Sequence, residues 1–347
     1  MGSSSDVGAA AAFRDGVRRV NGAPVLLAGV CLVTLLLAAP LALALDGMLE
    51  AHLGRSLVAQ QVAAGGGYQW WQEFRAQAQG LGLTFTPSTA GFGGVLDNIE
   101  ALLDNVEMAT TLAGVTAAWL LIWSFLSGGI IDRLARNRPT RSQGFFSAAG
   151  VHFWRFLRLG VIAFASYLFL FNWLHEWIFL DLYPGLTRDI TVERTALLIR
   201  VACYVLFGAV LMFVNVVIDY ARIRIVVEDR RSALGALTAA VRFVRRHLGR
   251  VASLYGLNGI AFLVLLALHA LISPGAMGSG SMMWLTLLFG QAYIVARHYL
   301  KLVFYASEAS LFQSLLAHAD YAASPRVEWP DSPAAESIAN ADPVVAP

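Results

Sequence analysis

Six long apolar runs alternate with polar, arginine-bearing connections along this 347-residue chain. They fall at about 24–45, 108–131, 157–180, 196–219, 251–273 and 283–306. Each has the roughly 20 residues that an α-helix needs to cross a hydrocarbon core of about 30 Å. One such run could be a buried core helix, but a chain of this size cannot cover six. The pattern predicts an all-α, polytopic membrane bundle of six transmembrane helices. A tail with an amphipathic helix occupies 1–23, the membrane domain 24–306, and a second tail 307–347. From about 322 that tail is rich in Pro, Ala, Ser and acidic residues and is expected to be disordered.

The connections carry a pattern of their own. From Ser232, the apolar residues Leu234, Leu237, Val241, Val244 and Leu248 recur at helical spacing, while Arg242, Arg245 and Arg246 take the other side. A helix with one apolar stripe and one basic face is expected to lie in the membrane interface, arginines at anionic headgroups. Similar stretches precede the third span (Phe153, Trp154 and Phe156 with Arg155 and Arg158) and the first (Phe13, Val17 and Val20 with Arg14, Arg18 and Arg19). This suggests three repeated hairpin units, each an interfacial helix, a span, an outer connection and a span. A shift of 87 residues lays Ile131-Asp132 over Ile218-Asp219 and Arg155-Phe156 over Arg242-Phe243. The alternative is convergent composition at membrane boundaries. Between the first two spans, 47–107 is the only sizeable extramembrane piece. It contains Trp70 and Trp71 and an amphipathic stretch with Ile99, Leu102 and Leu103 on one side and Glu100 and Asp104 on the other. It is expected to cap the outer face of the bundle or to dock a membrane-protein partner.

Composition agrees with the membrane reading. Apolar residues make up 57% and charged residues 14%, with mean hydropathy +0.62, whereas soluble domains carry about 25% charged residues. A net charge of +2 gives no basis for nucleic-acid binding. Arginine placement sets the expected orientation. Seventeen arginines fall in the N-terminal tail and the second and fourth connections, against four in the first and third and none in the fifth. This bias puts both termini in the cytoplasm of a bacterial inner membrane. Cys31 and Cys203 begin spans expected to run in opposite directions, so no disulfide is expected, and no Cys/His spacing suggests a metal.

Familiar catalytic signatures are absent: there is no Walker A loop, GxGxxG or GxSxG, and Phe179 stands where a His175-Glu176 zinc-protease motif needs histidine. No cofactor is implied. Ionisable residues within spans are costly and therefore candidate functional positions. His175 and Glu176 in the third span face Arg200 in the fourth, as a structural Glu176–Arg200 pair or as part of a substrate or proton site. Asp132 and Asp219 end spans two and four beside Arg133, Arg136 and Arg222, as local ion pairs or as hinges. Arg297, with His298 and Lys301, either anchors the last span by snorkelling or pairs with Asp219. Asn215, Asn258 and Gln291 either glue helices together or line a pathway. Gly114 with Ala118, and Gly256 with Gly259, suit close helix packing.

Two stretches carry a family resemblance. Gly144-Phe145-Phe146-Ser147 through Val151-His152-Phe153-Trp154-Arg155-Phe156-Leu157-Arg158 is one. The other runs from Ile225-Val226-Val227-Glu228-Asp229-Arg230-Arg231 to Val241-Arg242-Phe243-Val244-Arg245-Arg246-His247. Together they resemble the six-span membrane domain found beside some bacterial glycerophosphodiester phosphodiesterases and its stand-alone relatives. The likeness covers about 100–300 and implies a helical bundle in a bacterial inner membrane. The chain lacks the soluble barrel that would carry the phosphodiesterase activity, and its long 47–107 segment departs from the pattern. The functional expectation is a non-enzymatic scaffold or accessory subunit that binds anionic lipid, through Arg155, Arg158, Arg242, Arg245 and Arg246, or a partner protein. A transporter or channel would instead require a polar cavity shared by Asn215, Asn258, Gln291 and Arg297. An intramembrane enzyme would require His175, Glu176 and Asp181 to converge.

Overall fold

The computed structural model describes residues 8–54, 56–63, 67–85, 99–105, 110–273 and 281–317. In chain order the helices are α1 (Ala9–Asn21), α2 (Pro24–Leu53), α3 (Val58–Ala63), α4 (Tyr68–Gln77), α5 (Thr110–Arg136), α6 (Ser142–Thr187), α7 (Glu193–Val227), α8 (Ala233–Arg246), α9 (Leu248–Ile272) and α10 (Ser281–Ala317). A 3₁₀ turn, Gly80–Thr84, follows α4. Among the described residues there are no strands. Five helices, α2, α5, α6, α7 and α9, are long and apolar enough to cross a membrane.

Local sequence accounts for the helix ends. Pro24 opens α2, where its missing N–H and fixed φ cost nothing. The Ser232 hydroxyl caps α8 by accepting the Gly235 N–H at 3.1 Å. Asn137 follows α5 with φ 51°, and Asp229 lies between α7 and α8 with φ 48°. Both side-chain types tolerate the left-handed conformation that turns the chain out of a helix. One difference from the sequence reading concerns 142–158: no break separates an interfacial helix from the third span. Instead α6 runs for 46 residues, about 70 Å at 1.5 Å per residue, with π-helical turns over Leu170–His175 and Trp177–Leu182. With strong helix formers and no Gly-Pro break between Arg155 and the span, nothing in the sequence stops it.

The core lies at one end of the bundle. There α1 lies across α10 and α9, α8 packs on α7, and the end of α5 meets the start of α6. Ala12, Ile131, Leu134, Tyr220, Ile223, Ala236, Ala240, Leu254, Val303, Ala306 and Phe312 are all buried in it. Two close approaches hold it. A Cβ on Gly16 would stand 2.8 Å from the Ser307 backbone, and one on Gly129 2.8 Å from the Phe145 carbonyl. The glycines singled out by the sequence do not do this: Gly114, Gly256 and Gly259 have open space where a side chain would begin. Small-residue spacing alone cannot say which helix face meets protein.

Away from this end, the helices carry exposed apolar side chains. Examples are Leu35, Leu36 and Leu43 on α2, Phe164 and Trp173 on α6, Val205 on α7, Leu263 and Leu271 on α9 and Leu288 on α10. Such surface suits hydrocarbon as its solvent. The 47–107 segment contributes a small aromatic cluster beside the far end of α2, in which Trp70 and Phe74 are buried against His52 and Phe85. Residues 86–98 and 106–109, with the rest of the expected amphipathic stretch, lie outside the described residues, as does the tail from 318.

Candidate functional site

The charged residues of the packed end form two layers. The outer layer is basic and begins with α8. That helix docks through Ala233, Ala236, Ala240, Phe243 and Val244, with Phe243 centred 5.0 Å from both Tyr220 and Phe312. The buried face is therefore a stripe of alanines and one phenylalanine. Of the stripe read from sequence, only Val244 is fully buried; Leu237 and Val241 are half-buried, and Leu234 and Leu248 are exposed. Docking leaves Arg242, Arg245 and Arg246 exposed on the opposite side. Arg158 is exposed too, and with Arg231 and Ser232 it lines an open groove of about 610 Å³ walled by Val161, Ile162, Ala233 and Leu234. Arg155 differs, being committed to an ion pair with Asp229.

Beneath this layer Arg224 joins three elements. It grips Glu228 with two nitrogens, Nη2 at 2.8 Å, donates to the Ala239 carbonyl of α8 at 2.5 Å, and lies 5.2 Å from the Phe312 ring of α10. Arg230 adds a further ion pair to Glu228. On the α1 side, Asp15 pairs with Arg18 and Arg19 and accepts from the Ser310 hydroxyl at 2.8 Å. Arg19 also donates to the Leu134 carbonyl and to Gln313, both at 3.0 Å.

These contacts set the acid response. Burial opposes the charge of Asp15, but hydrogen bonds from Ser310 and Arg18 and the charge of Arg19 outweigh it and hold the carboxyl below its ordinary 3.8. Glu228 is likewise buried, yet its hydrogen bonds from Arg224 and Arg230 hold it below 4.5. The hydrogen bond from Arg155 holds Asp229 below 3.8. Such carboxylates take up protons more readily when unfolded. Their stabilisation is complete above the ordinary values and is lost as pH falls through the lowered native ones. The melting temperature of the detergent-solubilised chain is therefore expected to hold steady down to about pH 5 and then fall. A melting curve unaltered at about pH 3 would contradict these pairings.

The inner layer is a polar centre between α7, α9 and α10, with Glu308 buried, Asp219 and Arg222 half-buried and Lys301 exposed at its edge. Arg222 pairs with Asp219 at 3.0 Å, and the Tyr255 hydroxyl donates to the other Asp219 oxygen at 3.1 Å. Lys301 places its ammonium 4.1 Å from the centre of the Trp123 ring. Glu308 is 0% exposed, and neither of its oxygens has a hydrogen-bond partner; the buried Tyr220 hydroxyl also lacks one. Asn258 donates to the Ser307 hydroxyl at 3.2 Å on the neighbouring face.

The remaining sequence candidates do not assemble into one site. Asp132 pairs with Arg136 at 2.8 Å at the end of α5, whereas the Asp219–Arg222 pair lies inside α7, which runs on to Val227. Asp219 is thus committed locally rather than to Arg297, which is exposed along with Gln291. Asn215 accepts from Tyr167 at 2.5 Å and donates to the Leu211 carbonyl, a contact separate from that of Asn258. No Glu176–Arg200 pair forms. Arg200 donates to the Tyr204 hydroxyl, which donates to Asp104, while Glu176 and Asp181 are exposed. His175 is buried, 2.8 Å from the Leu103 carbonyl, tilted against the Phe179 ring and edge-on to Phe207, so it tethers the 99–105 stretch to the bundle. Both cysteines are free. Among the described residues, no group of three His, Cys, Asp or Glu side chains is placed to hold a metal ion.

Glu308 escaped the sequence reading because it lies beyond the last apolar run, in what reads as the start of a tail. A signal was present: Leu302, Val303, Ala306, Ala309, Leu311, Phe312 and Leu315 surround it at helical spacing on every side. In comparisons with known proteins, no family model, curated protein or solved structure matches the chain.

Proposed function

We propose that the chain is a non-enzymatic multi-pass protein of a bacterial inner membrane, a scaffold or accessory subunit that holds anionic phospholipid at its basic, cytoplasmic end. The observation that carries this reading is the docking of α8. One face is spent on the bundle, so the helix is fixed in place, and Arg242, Arg245 and Arg246 are left facing outward beside the ends of the membrane helices. Arginines held in this plane attract anionic headgroups by about 1 kcal/mol each. Arg158 and Arg231 over their apolar-walled groove extend the same surface.

A sixth crossing by 283–306 fits this reading. Trp284, Leu287, Leu288 and Val295 present exposed apolar surface there. The close seating of α1 on the second half of α10 requires both to lie on one side, as an even number of crossings provides. The three-unit repeat has partial support, since α1 and α8 both precede a span as separate helices, whereas 142–156 runs on into α6. A pathway role draws less support, because Asn215 and Asn258 make separate contacts and Gln291 and Arg297 are exposed.

The test is replacement of Arg242, Arg245 and Arg246 together by glutamine, followed by native mass spectrometry from nanodiscs with and without phosphatidylglycerol. Retention of anionic lipid is expected to fall by about two orders of magnitude, the equivalent of about 1 kcal/mol per charge. Equal retention by the mutant and the parent would reject the role.

A further inference from the structure

One acid of the inner layer, Glu308, is wholly buried without a partner. Asp219 is satisfied, its two oxygens taken by Arg222 and the Tyr255 hydroxyl. Glu308 has no such partner: both oxygens are buried and unbonded, and the Tyr220 hydroxyl beside it is also buried and unbonded. A carboxylate without hydrogen bonds is heavily disfavoured in such surroundings, whereas the neutral acid loses far less on leaving water and gains an O–H to donate. The groups acting on Glu308 are few. From α7 come Asp219, Tyr220 and Arg222, from α9 Tyr255, and from α10 itself Tyr305. Lys301 acts on the neighbouring Asp219. From the elements packed outside, α1 contributes Ala12 and Gly16 while Asp15 is held by its arginines and Ser310, α8 contributes Phe243, and α5 contributes Trp123, with its buried Arg133 turned to the Gly22 carbonyl.

We propose that Glu308 is a proton-binding site: in the docked bundle its side chain is the neutral acid, with the Tyr220 and Tyr255 hydroxyls and the Asp219 carboxylate as its polar neighbours. A metal cation is the weaker occupant, because hard cations ask for about six oxygens and the nearby Arg222 and Lys301 charges oppose it. The position gives the proton a consequence. Tyr220 carries the Phe243 ring that anchors α8, and Phe312 lies one turn beyond Glu308 against that same ring. Loss of the proton would put a bare negative charge under the anchor of the basic helix. This consequence concerns docking alone and stands whether or not α8 binds lipid.

Infrared spectroscopy of the full chain in nanodiscs tests the site. The wild type at neutral pH is expected to show a protonated-carboxyl carbonyl stretch that shifts in deuterium oxide and is missing from Glu308→Gln. Glu308→Gln copies the neutral form, so it should melt no lower than the wild type and keep its α8 amides protected from hydrogen exchange. Identical wild-type and mutant spectra would overturn the assignment, as would loss of the band in Asp219→Asn but not in Glu308→Gln. A large fall in the melting temperature of Glu308→Gln would show that the charged form is the structural one. Replacing choline by sodium with loss of the band would show a cation site instead.

Discussion

Replacing Arg224 with alanine is expected to lower stability by about 3–5 kcal/mol, the usual cost of removing one partner from a buried ion pair. The side chain is 12% exposed and its partner Glu228 3%. Three groups lose something at once. Glu228 keeps only Arg230, the Ala239 carbonyl loses its donor, and the facing Phe243 and Phe312 rings lose the guanidinium beside them. Because Ala239 belongs to α8 and Phe312 to α10, the damage should appear as loosening of α8 against the bundle, not only as a lower melting temperature. Arg224→Lys is expected to rescue only part, since an ammonium cannot present the two-nitrogen grip on a carboxylate while also reaching the carbonyl. Hydrogen exchange over 233–246 reads this directly. Protection unchanged in Arg224→Ala would show that α8 is held by its apolar face alone.

A leucine at Gly16 is expected to detach α1. Even the first carbon of a side chain would stand 2.8 Å from Ser307 backbone atoms, which have no rotamer to yield. Overfilling of this kind costs about 1–3 kcal/mol when neighbours shift. Here the shift also breaks the Asp15–Ser310 and Arg19–Leu134 hydrogen bonds. Limited proteolysis or hydrogen exchange should find 9–21 open in the variant and closed in the parent. A Gly16→Leu protein with α1 still protected would mean that the two helices do not approach so closely.

Five of the six expected spans were legible, because an apolar run of bilayer length is too long and too greasy for a chain of this size to bury in any other way. The existence of α8 was legible from its period, but its seat was not. A membrane accepts Leu234 and Leu248 as readily as a protein core does, so hydrophobicity could not identify the protein-facing side. The side chosen was the one whose alanines allow close approach to α7. The sequence offers Asp132 and Asp219 as local pairs or as hinges; each meets an arginine on its own helix, but Asp219 also accepts from Tyr255 of α9, a contact that no local pattern announces. Glu308 was invisible because its meaning depends on Tyr220 and Tyr255, which lie 88 and 53 positions earlier in the chain. The same distance in sequence hid the Asp15–Ser310 bond. By contrast, the expected Glu176–Arg200 pair assumed that antiparallel neighbours align at that depth. The 99–105 stretch intervenes and takes Arg200 and Tyr204 through Asp104.

The seating of α1 on α10 has a consequence for biosynthesis. α1 leaves the ribosome long before α10, so its closest seat is missing until Ser307 has been made, and α9, its other seat, is itself a late arrival. The α1 seat therefore closes late, and a nascent chain halted before Ser307 would keep α1 unlatched from α10.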